Sequence, residues 1–136
     1  MKAENTIMVV DDHEVNRVIL SEIFKDKYII TEAVNGKDAI ALLETMDKYP
    51  VVILLDIVMP VMDGFGVLDY LKEKELTEEI PVILITSYTA SVDEQVEQEY
   101  RIADMVAKPF DVREVNRRVE NIIRLYGRKR RERRRS

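Results

Sequence analysis

Residues 51–56 read VVILLD, and this segment decides the fold class. Five consecutive aliphatic residues, the first three β-branched, are typical of a strand that is covered on both faces in a parallel sheet. Asp56 ends the apolar run, so a carboxylate stands at the carboxyl end of a buried strand. In open parallel sheets the functional site lies beside those strand ends. The segment therefore predicts an α/β fold and a site that includes Asp56.

Short apolar runs and amphipathic stretches alternate on both sides of this segment. We predict strands at residues 6–10, 28–33, 51–55, 80–85 and 104–107, and helices at about 14–25, 39–46, 65–75, 91–100 and 111–126. Strict alternation with short connections implies a parallel sheet, helices on both faces and right-handed crossovers. The predicted fold is a doubly wound (βα)5 domain.

The composition fits one globular domain of 136 residues. The chain has no cysteine and a single histidine, His13, which excludes disulfides, thiol nucleophiles and zinc sites built from cysteines or several histidines. No apolar run approaches the roughly 20 residues that span a bilayer. An acid precedes any apolar segment at the amino terminus. We therefore expect no membrane association, no signal peptide and a cytoplasmic location.

The net charge of −5 conceals a basic end on an acidic body. Residues 128–136 hold seven basic side chains and one acid, whereas the rest of the chain holds 14 basic and 25 acidic side chains, a net charge of −11. An acidic body repels nucleic acid, so we expect none to bind to the domain itself. We place the domain at residues 1–126 and interpret residues 127–136 as a basic tail or a truncated linker to an output domain. A nucleic-acid tail and a solvated end stay open as alternatives.

Polar residues follow four of the five predicted strands: Asp11 and Asp12 the first, Asp56 the third, Thr86 and Ser87 the fourth, and Lys108 the fifth. Three carboxylates at one edge repel each other unless a cation joins them, and Lys108 alone neutralises one charge. A hard divalent cation such as Mg²⁺, which prefers oxygen ligands, resolves this repulsion. A metal ion, an ammonium and a hydroxyl beside a nucleophilic carboxylate are the groups that phosphoryl transfer to an aspartate needs. Asp56, at the centre, is the candidate nucleophile.

Each of these residues also has a purely structural interpretation when it is taken alone. Asp12 is well placed to cap the following helix, and Asp56 to start an Asx-turn. Thr86 can simply end a strand, and Lys108 can be a solvated loop charge. Their convergence on one edge of the sheet favours the functional interpretation.

Several sequence pieces, in this order, resemble the receiver domain of bacterial two-component response regulators, the CheY-like family: VVDD at 9–12, LLDIVMPVMDG at 54–64, IT at 85–86 and KPF at 108–110. The resemblance covers about residues 5–125. It implies the flavodoxin-like and CheY-like sheet with strand order 2-1-3-4-5. It also implies a signalling phosphoprotein rather than an enzyme, one that catalyses only its own phosphorylation and dephosphorylation.

The resemblance assigns roles to the residues at the predicted strand ends. It implies that Asp56 accepts a phosphoryl group from a histidine kinase or a phosphotransfer protein. It implies that Mg²⁺, or Mn²⁺ in its place, is held by Asp11, Asp12, Asp56 and the backbone carbonyl of Val58. It further implies that Lys108 pairs with the phosphoryl group.

The resemblance also implies a conformational switch. Thr86 would move to bond a phosphoryl oxygen, and the bond that precedes Pro109 is expected to be cis. Met105 stands where the family usually carries Tyr or Phe, Ser87 stands where a small residue is usual, and Arg101 stands where glycine is frequent. The switch would act on the face formed by the fourth helix, the fifth strand and the last helix. A homodimer that forms through this same face is also considered.

Other protein classes fit the sequence less well. A phosphatase with an aspartate nucleophile commonly places it after the first strand with a second acid two residues later, a spacing that Asp11 and Asp12 lack. A nucleotide switch needs a glycine-rich phosphate loop with Lys and Ser or Thr, which the sequence lacks. An FMN site needs a first loop rich in hydroxyls and glycine, whereas the acids at residues 11–14 would repel its phosphate. The remaining alternative is a receiver-like interaction module that is not phosphorylated. Its usual mark is a missing acid or lysine, and all are present in this chain.

Overall fold

Strands and helices alternate in the computed structural model, which describes residues 4–135. The strands are β1 (Thr6–Val10), β2 (Ile29–Ala33), β3 (Val52–Leu55), β4 (Val82–Thr86) and β5 (Asp104–Ala107). The α-helices are α1 (Glu14–Phe24), α2 (Gly36–Thr45), α3 (Gly64–Glu73), α4 (Glu94–Tyr100) and α5 (Val112–Arg135). All strand pairs are parallel, and the order is β2-β1-β3-β4-β5. The doubly wound prediction is confirmed.

Alternate residues of the central strands enter two different cores. Met8 of β1 and Leu55 of β3 belong to the core that includes residues of α2 and α3. Ile7 and Leu54 belong to the opposite core, with residues of α1 and α5. Side chains alternate along a strand, so covering both faces requires an unbroken apolar run. This is why residues 51–55 carry no polar position.

The fourth helix starts later than predicted. Residues Thr89–Ser91 form a short 3₁₀ turn, and α4 begins at Glu94 rather than near residue 91. The side chain of Asp93 accepts a hydrogen bond from the backbone N–H of Val96 (2.9 Å) and so caps the helix. A capping aspartate stabilises a helix start, which fixes the observed boundary.

The last helix is longer than predicted. The sequence predicts its end near residue 126, before Gly127, but α5 continues to Arg135. Arg130 donates a hydrogen bond to the carbonyl of Glu79 (2.9 Å), and the guanidinium of Arg133 lies 3.6 Å from the Glu79 carboxylate. These contacts, with the good helix propensity of Arg and Lys, offset the cost of about 1 kcal/mol of a helical glycine. Within residues 4–135, no helix combines the length and apolar character needed to cross a membrane.

Arg101 ends α4 in a left-handed conformation, with φ of 52°. Glycine adopts this conformation without steric cost, whereas other L-residues lose roughly 1–2 kcal/mol. The Arg101 guanidinium pairs with the carboxylate of Glu78 (2.5 Å). The ion pair joins the end of α4 to the segment before β4, a contact that glycine would not make.

Candidate functional site

Three polar side chains are buried at the carboxyl ends of the central strands. Asp11 is 2% exposed, Asp56 is 6% exposed and Thr86 is fully buried. Asp11 follows β1, Asp56 follows β3 and Thr86 ends β4, so the three lie along one edge of the sheet. The strand order reverses between β1 and β3, which is where ligands bind in this class of sheet. Buried carboxylates need compensating partners at that edge.

Lys108 supplies the positive charge between the two buried carboxylates. Its Nζ donates hydrogen bonds to Asp11 Oδ2 (2.7 Å) and to Asp56 Oδ2 (2.8 Å), and its side chain is 12% exposed. Burial alone would lower the pKa of Lys108, but the hydrogen-bonded carboxylates of Asp11 and Asp56 together raise it above its usual value. The lysine is therefore charged, and it lies between the two buried carboxyl groups.

Backbone donors fix the other oxygen of each carboxylate. Asp11 Oδ1 accepts a hydrogen bond from the N–H of His13 (2.9 Å), and Asp56 Oδ1 accepts one from the N–H of Ile57 (2.7 Å). The donor to Asp56 is the next residue rather than the second one along, so the Asx-turn considered for Asp56 does not form. Both carboxylates are held in one orientation before any ligand arrives.

Asp12 is the third carboxylate of the cluster. Its Oδ1 is buried and has no hydrogen-bond partner, and the Nδ1 of His13, 3.2 Å away, does not have hydrogen-bonding geometry. The N-cap of α1 is His13 rather than Asp12, so the structural interpretation of Asp12 as a helix cap is wrong. Ligand atoms of Asp11, Asp12, His13 and Asp56 all lie within 4.8 Å of one another. Three carboxylates, one with an unpartnered oxygen, fit a hard cation such as Mg²⁺.

An open cleft of about 340 Å³ gives access to these groups. Asp56 and Lys108 contribute to its lining, as do Ser87, Tyr88 and Val58. Val58 and Tyr88 are 48% and 56% exposed. A small molecule or a protruding side chain can therefore reach Asp56 from solvent.

Of the residues assigned to the switch, Ser87 lines the cleft and Met105 does not. The Thr86 hydroxyl accepts a hydrogen bond from the N–H of Tyr88 (3.1 Å). The bond between Lys108 and Pro109 is cis, as the resemblance implies, and the carbonyl of Thr86 accepts the N–H of Lys108 (2.9 Å). Met105 is partly buried against the core that includes residues of α2 and α3 and does not line the cleft.

Two glycines, which the sequence marks only as turn residues, hold the loop of residues 56–63 that follows β3. The N–H of Gly64 donates to the carbonyl of Ile57 (2.7 Å), and a Cβ at position 64 would lie 2.5 Å from the carbonyl oxygen of Asp56. The N–H of Gly36 donates to the carbonyl of Met62 (2.8 Å). Their identity as glycine signals a turn. The close approach to the backbone of residues 56–63 becomes visible only in three dimensions.

Comparisons with known proteins agree with this geometry. A family model described as the response regulator receiver domain matches residues 7–120. The histidine kinase P4 of Formosa agariphila is 35% identical over 122 residues, which are 90% of this chain and 9% of that protein. The chain spans 9% to 47% of the length of four curated relatives.

Solved structures show the same fold. A CheY-like receiver domain protein of Methanospirillum hungatei superposes with a TM-score of 0.81 at 19% identity, over 93% of this chain and 99% of that one. Response regulator protein TrrA of Thermotoga maritima, solved in complex with Mg²⁺ and BeF, superposes with a TM-score of 0.74 at 26% identity. That superposition covers 88% of this chain and 99% of TrrA.

Proposed function

The chain belongs to the response regulator receiver domains of two-component signalling, and from that premise we propose that Asp56 accepts a phosphoryl group from a histidine kinase or phosphotransfer protein. One observation carries the proposal. The Asp56 carboxylate lies at an open cleft, bound to a charged lysine 2.8 Å away and grouped with two further acids. A positioned carboxylate beside cationic groups is what acyl-phosphate formation requires.

In this proposal Asp56 is the nucleophile. A carboxylate oxygen attacks the phosphorus atom, an Asp–O–P bond forms, and the phosphorus–nitrogen bond of the donor phosphohistidine breaks. The departing imidazole keeps the electron pair and takes up a proton. The hydrogen bond from the N–H of Ile57 holds the carboxylate in place, and the Lys108 ammonium lies close enough to move onto a phosphoryl oxygen. The buried Thr86 hydroxyl would donate to a second oxygen once it turns toward the cleft.

We propose that Asp11, Asp12, Asp56 and the carbonyl of Val58 hold Mg²⁺, or Mn²⁺ in its place. The unpartnered oxygen of Asp12 and the three clustered carboxylates support this assignment. When bound, the ion neutralises charge on the transferring phosphoryl group. The TrrA structure, solved with Mg²⁺ and BeF, gives a precedent within the same family.

Removal of the Asp12 carboxylate should weaken the response to the metal. We expect millimolar Mg²⁺ to raise the melting temperature of the wild type, because a ligand that binds only the folded state stabilises it by mass action. Asp12→Ala should lose most of that increase. Asp47→Ala removes an exposed acid outside the cluster and should respond like the wild type. Equal responses in Asp12→Ala and the wild type, measured by differential scanning fluorimetry, would contradict the assignment.

Incubation with acetyl phosphate tests the function directly. With Mg²⁺ we expect one phosphoryl group per chain by intact-mass spectrometry, released by hydroxylamine as an acyl phosphate is. EDTA should prevent the labelling. A chain that folds, binds Mg²⁺ and gains no phosphoryl group would instead support the interaction module that is not phosphorylated.

The proposed partners follow from the position of the cleft. Helix α1, whose Asn16 lines the cleft, also exposes Val15 and Val18 (70% and 51%), an apolar surface that a histidine kinase could cover. Because the chain spans less than half the length of four curated relatives, we propose that residues 1–126 are the receiver and that residues 127–136 are a basic tail or a linker to an output domain. We further propose a cytoplasmic location and a homodimer through α4, β5 and α5, with no nucleic acid bound to the receiver itself.

Thr86 should carry the switch more than Met105 does. A phosphoryl group shifts a conformational equilibrium only through contacts that differ between the two states. Met105 is flexible and lacks a ring or hydroxyl, so it can occupy either arrangement with little difference in packing. We expect beryllofluoride to change amide exchange over residues 91–110 in the wild type and in Met105→Leu, but not in Thr86→Ala. The opposite result for the two variants would refute this division of roles.

A further inference from the structure

A second cavity, of about 680 Å³, lies at the other end of the sheet from the Asp56 cleft. Its walls come from Asn5 before β1, residues 48–51 before β3, Glu79 before β4, and α5. The volume falls in the range of roughly 300–1,000 Å³ that is typical of small-molecule sites. Nothing in the proposed phosphoryl-transfer chemistry uses this cavity.

The lining of this cavity is strongly cationic, although the body of the protein is acidic. Its described lining residues include four cations and one carboxylate, that of Glu79: the cations are Lys48, Arg124, Arg130 and Arg131. Arg130 donates to the backbone carbonyl of Glu79 (2.9 Å), and Lys48 donates to the side-chain oxygen of Asn5 (2.9 Å). The bond to Asn5 holds Lys48 without neutralising its charge, because the amide oxygen that accepts it is uncharged.

The other two cations stand on one face of α5. Arg124, Gly127 and Arg131 are spaced at i, i+3 and i+7, so all three line the same side of the helix. Within residues 4–133, neither Arg124 nor Arg131 forms an ion pair with a carboxylate. A Cβ on Gly127 would meet only the Arg131 guanidinium, at 3.7 Å, so packing does not require glycine there. Glycine weakens the helix but leaves the space between the two arginines open.

We propose that this cavity binds a small soluble ligand that carries two or more phosphate groups. Guanidinium groups bind phosphate oxygens through paired, charge-assisted hydrogen bonds, and several cations favour a multiply charged anion over a single phosphate. Pro50 and Ile123 give the cavity an apolar wall, and Tyr49, which also lines it, is 44% exposed. These surfaces suit the uncharged part of such a ligand.

Such a ligand would act on the helix that leaves the receiver. It would join α5 at Arg124 and Arg131 to the segment before β3 at Lys48. Binding would therefore strengthen the attachment of the basic end of α5 to the body, which Arg130 and Arg133 already make through Glu79, independently of the state of Asp56. In this inference, which rests on the proposed function, α5 would respond both to the ligand in this cavity and to phosphorylation of Asp56.

Calorimetric titration of the full chain with tripolyphosphate, without Mg²⁺, tests this inference. We expect saturable binding of one ligand per chain, and amide chemical-shift changes at residues 48–51 and 123–131. Arg124→Gln should bind about tenfold more weakly, the scale expected for loss of a charge-assisted hydrogen bond. Circular dichroism and melting temperature show whether the variant is folded, and Arg131→Gln is a second variant of the same design.

Arg128→Gln is the matched control, because it removes the same charge from an exposed position of α5 outside the cavity. It should keep the wild-type affinity within about twofold. Asp56→Asn should bind tripolyphosphate like the wild type, which separates this site from the proposed phosphoryl-acceptor site. Absent or non-saturable binding, or equal weakening in Arg124→Gln and Arg128→Gln, would overturn the inference and indicate unspecific attraction to the basic helix.

Discussion

Asp56→Asn will not be phosphorylated by acetyl phosphate under conditions that label the wild type completely. The substitution keeps the size and shape of the side chain but replaces an anionic oxygen with an amide nitrogen, which is not a nucleophile. The fold should survive, since the amide oxygen can still accept the N–H of Ile57, the bond that is 2.7 Å long in the wild type. Intact-mass spectrometry after incubation with Mg²⁺ and acetyl phosphate gives the result.

Asp47→Asn provides the matched control for this loss. Asp47 is exposed and lies outside the cleft, so its replacement changes the net charge equally without touching the site. The control should be labelled like the wild type. Labelling of Asp56→Asn at the wild-type level would place the acceptor elsewhere, with Asp11 and Asp12 the next residues to replace.

The alternation of strands and helices and the edge that carries the site could be predicted because both depend on local patterns, whereas the strand order was implied by the family resemblance. An apolar run such as residues 51–55 is stable as a strand that is covered on both faces. The carboxyl ends of parallel strands share one edge of the sheet, which is where the site lies. The same rule brings Asp11, Asp56 and Lys108 together in the structure. The roles of these residues in phosphoryl transfer remain predictions that labelling experiments must test.

Features that depend on distant contacts could not be predicted from the sequence. Gly127 predicts a weakened helix, but α5 continues because Arg130 and Arg133 contact Glu79, a residue about 50 positions away. Asp12 has the pattern of a helix cap, but the backbone at His13 starts the helix and leaves the Asp12 oxygen unpartnered. Tertiary contacts outweigh the low helix propensity of glycine in α5. In α1, the position at which the backbone becomes helical determines which residue is the N-cap.

Lys108→Met will destabilise the metal-free protein by about 3–5 kcal/mol, the usual cost of removing one partner from a buried ion pair. Asp11 and Asp56 would remain buried with no cation between them, since Lys108 bonds both in the wild type (2.7 and 2.8 Å). Methionine fills a similar volume, so the loss should come from charge rather than from packing. Urea denaturation in EDTA gives the difference in the free energy of unfolding.

Mg²⁺ should restore more stability to Lys108→Met than it adds to the wild type, because an uncompensated pair of carboxylates binds a cation more tightly. The double variant Lys108→Met, Asp56→Asn should be less destabilised than Lys108→Met alone. It removes the Asp56 carboxylate together with the lysine that compensates it, so only Asp11 is left buried without a cation. Lys72→Met removes an exposed lysine paired with Glu99 and should change stability by no more than about 0.5 kcal/mol. If Lys108→Met were as stable as Lys72→Met in EDTA, the buried carboxylates would not depend on the ammonium, and the charge balance on which the proposed Mg²⁺ site rests would be wrong.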